Sequence, residues 1–140
     1  MTEASEFFLD SNIWIYALSD DNDEKAVKAR FLVESLDDNI YFTSQVANET
    51  CLILKKKSSM TEVQIRHLIA SFFANYRYVE MSETILLAAS ALRENHSFSY
   101  WDSLLAAAAV TTNANILYSE DMQDGFVLDN KLKIVNPFNK

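Results

Sequence analysis

Four carboxylates in this 140-residue chain lie where an apolar segment ends or begins, or on an apolar helix. They are Asp10 after EFFL, Glu49 within SQVANETCLIL, Asp102 within WDSLLAAAAV, and Asp121 after NILYSE. Carboxylates that share a pocket repel one another and raise one another's pKa values unless a cation lies between them. Mg²⁺ and Mn²⁺ prefer carboxylate oxygens, and a bound ion polarises a phosphoryl oxygen and activates water. If the fold gathers these acids, the sequence predicts a metal site for hydrolysis.

Each acid also has an ordinary structural interpretation. Asp10 can cap a following helix, and Asp102 completes the capping-box pattern Ser99-x-x-Asp102. Asp121 can be a turn residue, since the segment SED lies shortly before Gly125. Glu49 can be a solvated helix residue. Each structural interpretation is the commoner case by itself, and the metal-site hypothesis gains its weight from all four acids occurring together.

Glu49 and its neighbours give one argument against the solvated interpretation. Leu52 and Ile53 follow Glu49 by three and four residues, so the three side chains share a helical stripe. We therefore expect Glu49 to lie on an inward-facing part of its helix. The histidines His67 and His96 form no zinc-like spacing with Cys51, and both are expected to be surface or ordinary structural residues.

Composition restricts the class of protein. About half of the residues are apolar (49%), which excludes a disordered chain, and the length suits one domain over residues 1–140. The lone cysteine fits a reducing cytoplasm, and neither a signal peptide nor an apolar run of membrane-spanning length is evident. We therefore expect a cytoplasmic protein that has no membrane partner.

The charge balance bears on nucleic-acid binding. Twelve Lys and Arg residues against twenty Asp and Glu residues give a net charge of −8, which argues against passive contact with phosphates. Divalent cations that bridge acids to phosphates would remove that objection. The basic residues that we consider for phosphate contacts, each with a solvated surface position as the more ordinary interpretation, are Lys55, Lys56, Lys57, Arg66 and Arg77.

The elements that must position the acids alternate along the chain. Short apolar runs predict strands at residues 6–10, 39–43, 76–81, 115–119 and 131–136. Helical patterns cover residues 12–20, 23–36, 44–56, 59–76, 82–94 and 100–112, the fourth beginning with the capping-box pattern Ser59-x-x-Glu62. This order predicts an α/β fold, a three-layer α/β/α sandwich with a mostly parallel sheet of about five strands. Ligands of such sheets bind beyond the carboxyl ends of the strands.

The second predicted helix has a clear expected inner face. Its apolar spacing places Val27, Phe31 and either Val33 or Leu36 toward the core. Ser11 or Asn12 is available to cap the helix before it.

Four segments in order resemble the motifs of the PIN domain family. FFLDSNIWIYAL resembles the first motif, SQVANETCLIL the second, SYWDSLLAAAA the third and ILYSEDMQDG the fourth. The ending KIVNPF is similar to the last strand of PIN toxins of the VapC type. One motif would be weak evidence, whereas four in order across nearly the whole chain are fairly specific.

The resemblance implies a fold, an activity and partners. Asp10, Glu49, Asp102 and Asp121 align with the acidic quartet that binds Mg²⁺ or Mn²⁺ and supports hydrolysis of RNA. VapC-type toxins are ribonucleases that usually form homodimers and are inhibited by a small antitoxin. The resemblance thus implies a metal-dependent endoribonuclease, the toxin of a VapBC-type pair.

The supporting residues implied by the resemblance are Asn12 and Ser119, which orient the first and last acids by hydrogen bonds. Asp124 departs from the family pattern and is either a turn acid or a residue that supports the site. Glu120, between Ser119 and Asp121, is expected to point to solvent if the chain stays extended there.

Three other functions remain open. The same chemistry can belong to a housekeeping PIN nuclease that processes RNA, and a PIN-like fold can serve as a non-catalytic binding module. A strand-terminal Asp also begins phosphatases of the haloacid dehalogenase type, but those usually place a second Asp two residues later, where this chain has Asn12.

Overall fold

The computed structural model describes residues 5–139, which form six strands and six helices. The strands are β1 (Phe7–Leu9), β2 (Ile40–Phe42), β3 (Arg77–Tyr78), β4 (Ile116–Tyr118), β5 (Val127–Leu128) and β6 (Leu132–Val135). The helices are α1 (Ser11–Leu18), α2 (Glu24–Leu36), α3 (Ser44–Ser58), α4 (Glu62–Asn75), α5 (Glu83–Asn95) and α6 (Tyr100–Val110). No helix within this part of the chain is both long and apolar enough to span a bilayer.

All six strands belong to one sheet, in the order β3-β2-β1-β4-β6-β5. Every neighbouring pair is parallel except β5 and β6. The predicted α/β fold with a mostly parallel sheet is therefore confirmed, with six strands instead of about five.

The strand missed from the sequence is β5, which forms a hairpin with β6. Asp129 and Asn130 at its turn both have a φ of +53°, and Lys131 N donates to Leu128 O at 2.9 Å. Positive φ at both central residues is the geometry of a tight hairpin turn, and Asp and Asn tolerate it well. Two residues are too few to show the alternation that identifies a strand. Asp129 and Asn130 were therefore the one sequence signal of a hairpin here.

The strand order places the site at one position of the sheet. The chain moves outward from β1 to β2 and β3 and then returns to the other side of β1 to form β4. Crossovers between parallel strands are right-handed. When the chain crosses toward β3 and then toward β4, the connecting helices therefore lie on opposite faces of the sheet. Contacts agree, because α1 packs on both α2 and α3, α3 packs on α4, and α5 packs on α6. The point where the order reverses, between β1 and β4, is where ligands of such sheets bind.

The core is built from central strands and from α6. Phe8, Phe42, Leu117 and Ile134 are fully buried in the sheet. Every residue of α6 from 103 to 109 is buried as well. A helix that is buried all round must have small side chains where its neighbours approach, which explains the run of alanines.

The predicted inner face of α2 was wrong. Val27 and Phe31 are exposed, Phe31 by 74%, whereas Ala26, Ala29 and Leu36 are buried. α2 packs against α1, and alanines allow two helices to approach closely where larger side chains would hold them apart. Of the alternatives expected from the sequence, only Leu36 is buried.

The predicted cap of α4 was displaced by two residues. Ser59 instead ends α3 in a left-handed conformation with a φ of +52°. Thr61 caps α4: its side chain accepts from Gln64 N at 3.2 Å, and the Gln64 side chain accepts from Thr61 N at 2.8 Å. This reciprocal pair is a capping box with a glutamine in place of the expected Glu62.

Candidate active site

Asp10 and Ser119 lie side by side because their strands pair. Leu9 of β1 is in register with Tyr118 of β4, and Asp10 N donates to Tyr118 O at 2.9 Å. Ser119 Oγ then donates to Asp10 Oδ2 at 2.8 Å, and Ser11 N donates to Oδ1 at 2.7 Å. Asp10 is also the N-cap of α1, in place of the expected Ser11 or Asn12. Asp10 is therefore both the cap of a helix and an acid at the carboxyl edge of the sheet.

Asp121 is held from α1 and from the chain just before it. Asn12 Nδ2 donates to Asp121 Oδ2 at 3.0 Å. The buried Ser119 hydroxyl accepts from the backbone N–H groups of Asp121 and Met122, each at 3.3 Å. The side-chain bonds cross between the two segments, since Asn12 contacts the last acid and Ser119 contacts the first. Each acid is thus oriented by the segment that carries the other.

The structure brings all four predicted acids to one cavity of about 110 Å³. Its lining residues are Asp10, Ser11, Gln45, Val46, Glu49, Trp101, Asp102, Leu105 and Asp121. The acids come from the ends of β1 and β4 and from the helices α3 and α6, so elements far apart in sequence meet at the expected edge of the sheet. Their catalytic and metal-binding roles stay a prediction.

Glu49 lines the cavity, but the expectation that it lies on an inward-facing part of α3 was wrong. Leu52 and Ile53 are both exposed, so the stripe that they share with Glu49 does not face the core. Glu49 is exposed as well, and it reaches the cavity from the rim. The buried Val46, one turn earlier, forms the cavity wall beneath it.

An arginine anchors the beginning of α6, which the sequence did not reveal. Arg93 Nη1 donates to Ser103 Oγ at 2.7 Å, and its guanidinium carbon lies 4.2 Å from the centroid of the Tyr100 ring. Ser103 Oγ donates to Tyr100 O at 2.6 Å, and Ser99 caps the helix by accepting from Asp102 N. These contacts fix the helix start from which Asp102 projects.

The cavity carries excess negative charge. Burial, followed by repulsion from Asp102 and Glu49, raises the pKa of Asp10 from 3.8 to about 6, even though hydrogen bonds from Ser119 and Ser11 oppose the rise. No lysine or arginine of residues 5–139 lines the cavity. A bound cation would remove this repulsion.

Two neighbouring acids have other partners. Glu120, expected to point to solvent, accepts from the Tyr16 hydroxyl at 2.8 Å and pairs with Lys25. That expectation depended on an extended chain, and the chain leaves β4 after Tyr118 and is no longer extended at Glu120. Asp124 accepts from Asn136 N at 2.9 Å and from Asn139 Nδ2 at 3.2 Å, and it is outside the cavity lining.

The sequence matches the family model of the PIN domain over residues 7–124. The chain belongs to the PIN domain family. Among curated proteins, no sequence matches this PIN domain significantly.

Solved structures share the fold of this PIN domain. A toxin–antitoxin complex from Klebsiella pneumoniae matches with a TM-score of 0.72 at 19% identity, over 96% of this chain and 98% of that chain. VapC20 of Mycobacterium tuberculosis, a sarcin–ricin loop cleaving toxin, matches with a TM-score of 0.67 at 16% identity, over 80% and 87%. VapBC2 of Rickettsia felis, bound to a promoter DNA fragment, has a TM-score of 0.58 at 21% identity, over 82% and 87%. At these identities the likeness is one of fold.

The donor set of this PIN domain fits a hard divalent cation. All four acidic side chains offer oxygen ligands, and Asn12 Oδ1 is a buried acceptor that has no partner among the described residues. Within residues 5–139, no three His, Cys, Asp or Glu side chains form a ready-made metal cage. Mg²⁺ commonly binds through one or two carboxylates and keeps several waters, so a cavity lined by separated carboxylates suits it.

Proposed function

We propose that this PIN domain is a metal-dependent endoribonuclease that hydrolyses phosphodiester bonds of RNA with Mg²⁺ or Mn²⁺. The observation that carries the proposal is the meeting of Asp10, Glu49, Asp102 and Asp121 at one cavity that has no basic side chain in its described lining. Such a cavity repels a phosphate unless a cation joins the two. Family membership supports the same activity.

The residues that would hold the ion are the four acids, directly or through water. A bound ion would polarise the phosphoryl oxygen and lower the pKa of a water near the phosphorus. Ser119 and the N–H of Ser11 hold Asp10 from both oxygens, and Asn12 holds Asp121, so both acids are oriented before substrate arrives. Hydrolysis by water leaves a 5′-phosphate and a 3′-hydroxyl on family analogy, and the RNA 2′-hydroxyl takes no part.

We further propose that the protein is the toxin of a VapBC-type pair, a homodimer inhibited by a small antitoxin. Structures that share its fold come from toxin–antitoxin complexes. A net charge of −8 suits a basic inhibitor segment. A housekeeping nuclease is the alternative, and a short upstream reading frame that overlaps this one and encodes a small protein with a basic tail would favour the toxin.

Cleavage of a mixed RNA pool, with cut sites mapped, tests the activity. We expect cleavage with Mg²⁺ or Mn²⁺, none with EDTA, and a loss of at least about 100-fold in Asp102→Asn, since several kcal/mol of charge stabilisation depend on the ion. Asp124→Asn is the matched control, because it makes the same chemical change outside the cavity and should retain activity.

Two outcomes would overturn the proposal. Equal cleavage by Asp102→Asn and wild type would mean that the acid cavity is not the active site. No cleavage of varied RNAs by clean wild-type protein would favour a non-catalytic binding module.

A further inference from the structure

A second cavity of about 130 Å³ adjoins the acid cavity and shares Asp102 and Asp121 with it. Its remaining lining residues are His96, Ser97, Phe98, Met122, Gln123 and Phe126. Because two acids belong to both walls, a group in the second cavity would lie next to a phosphate held at the first. Nothing in the proposed metal chemistry uses these six residues.

Three rings give this cavity an aromatic wall. The His96 ring lies 6.0 Å from Phe98 and 5.4 Å from Phe126, and the Phe98 and Phe126 rings lie 5.9 Å apart, measured between centroids. All three pairs meet edge to face, at angles of 78° to 84°. The two phenylalanines also pack against the core. Each ring therefore holds the others in place, and the wall exists before any ligand binds.

The polar groups of the cavity can recognise a planar heterocycle. Gln123 carries both a donor and an acceptor, and Ser97 carries a hydroxyl. Both residues are exposed, and neither side chain is hydrogen-bonded to another group within residues 5–139. Amide side chains pair well with the edges of bases, and aromatic side chains stack on their faces.

The charge of the cavity favours a neutral occupant over an anion. Asp102 and Asp121 are the charged groups of its lining, and no Lys or Arg of the described chain contributes. A phosphate would be repelled there, whereas a neutral ring that is linked to a phosphate in the acid cavity would not.

We propose that the cavity of His96, Phe98, Gln123 and Phe126 binds the nucleobase of a nucleotide that adjoins the cleaved phosphate. The inference rests on the proposed nuclease function and adds a source of base preference to it. Unpaired bases of single-stranded RNA can be splayed into such a cavity, whereas stacked bases of a duplex cannot. The preferred substrates are therefore loops and single strands.

Binding of nucleotides in the presence of Mg²⁺ tests the base site. AMP, GMP, CMP and UMP are compared with ribose 5-phosphate, which has the sugar and phosphate but no base, by calorimetry and by NMR of the aromatic side chains. We expect at least one nucleotide to bind about 5- to 100-fold tighter than ribose 5-phosphate and to shift the Phe98 and Phe126 resonances, since stacking of one base contributes that much. Equal binding of ribose 5-phosphate and all four nucleotides would overturn the proposal.

Variants separate the base site from general damage. Phe126→Leu keeps an apolar side chain and removes the ring, and Gln123→Ala changes an exposed residue with little risk to folding. We expect Phe126→Leu to abolish the advantage of nucleotides over ribose 5-phosphate and Gln123→Ala to change which base is preferred. Phe31→Leu removes an exposed ring on α2 and should bind as wild type does. Nucleotide binding unchanged in both Phe126→Leu and Gln123→Ala would reject the site.

Mapping of RNA cuts distinguishes failure of this inference from failure of the nuclease proposal. RNA that is cut without any base-dependent binding of nucleotides would reject the base site and leave the nuclease standing. Base-dependent binding at the rings without cleavage of any RNA would retain the base site and reject the nuclease.

Discussion

Asp10 serves both as a helix cap and as one of the acids that line the cavity. One oxygen accepts from Ser11 N and the other from the Ser119 hydroxyl, so both are satisfied. Burial still raises its pKa to about 6. Above that pH, and without a bound cation, ionised Asp10 therefore destabilises the fold. A neutral residue could cap the helix without this cost.

Asp10→Asn should stabilise the metal-free protein at neutral pH. A pKa raised from 3.8 to about 6 corresponds to about 2 to 3 kcal/mol, which burial of the ionised carboxylate costs above pH 6. The wild type regains this free energy as the pH falls from 6 toward 4, so the advantage of the variant should shrink over that range. Chemical denaturation in EDTA at several pH values measures it.

Added Mg²⁺ provides the second half of this test. The ion should raise the melting temperature of the wild type and have much less effect on Asp10→Asn. A variant that is less stable than the wild type at pH 7.5 in EDTA would show that the capping role of Asp10 outweighs the cost of burying its charge.

The acids could be found from the sequence, but their supports could not be paired correctly. Asp10 and Asp121 follow apolar strands directly or within a few residues, and carboxyl ends of parallel strands share an edge. Which support contacts which acid depends on the register of Leu9 with Tyr118, a pairing across 109 residues that no local pattern encodes.

The segment between β4 and β5 is fixed at both of its ends. Near β4, Glu120 joins Tyr16 of α1 and Lys25 of α2. Near β5, Asp124 joins the chain that follows β6, and Gly125 with a φ of +86° turns the segment back so that its N–H donates to Ile134 O at 2.7 Å. Asp121 lies between these two anchors, and its own contacts are with Asn12 and Ser119.

Asp124→Asn should destabilise the protein at neutral pH and leave its cleavage activity largely intact. The N–H of Asn136, then the amide of Asn139, lower the pKa of Asp124 below its ordinary value of 3.8. Stability from a lowered pKa is fully present above pH 3.8 and is lost as the pH falls through the folded-state pKa. The melting temperature of the variant should thus be lower than that of the wild type at pH 7, and the difference should shrink only as the pH falls below 3.8.

Asp124→Asn and Asp10→Asn serve as controls for each other. The same chemical change should destabilise the protein at Asp124 and stabilise it at Asp10. Activity lost in Asp124→Asn, with its melting temperature unchanged, would instead assign Asp124 to the acid site.

At the scale of elements, the sequence predicted types and order well and faces less well. The order and approximate positions of all six helices were predicted from the sequence, but the inner face of α2 was not. Ala26 and Ala29 face the core because α1 approaches closely, while the larger Val27 and Phe31 remain outside. The sequence pattern favours large apolar side chains as core residues, whereas close packing between two helices admits only side chains small enough to fit.

The whole molecule is acidic, and much of its basic charge is already engaged. Of the basic residues considered for phosphate contacts, Lys55 pairs with Glu62, Lys57 with Asp21, and Arg77 with Glu6. Such exposed pairs contribute little to stability, but they reduce the positive potential available to RNA. If the protein is the proposed nuclease, its affinity for RNA should come mainly from a cation in the acid cavity and from neutral contacts.

Binding of single-stranded RNA should accordingly require a divalent ion and depend weakly on salt. Each phosphate neutralised by Lys or Arg adds about −0.7 to the slope of log K against log salt for a single strand, so we expect a slope shallower than about −1. Fluorescence anisotropy over a range of KCl concentrations measures it, with Ca²⁺ as the ion and with gels to verify that the RNA stays intact. Lys56→Gln and Arg66→Gln should bind as the wild type does, and the EDTA-treated protein should not bind. A slope near −3, or binding in EDTA, would mean that basic side chains hold the RNA and that the acid cavity contributes little to its affinity.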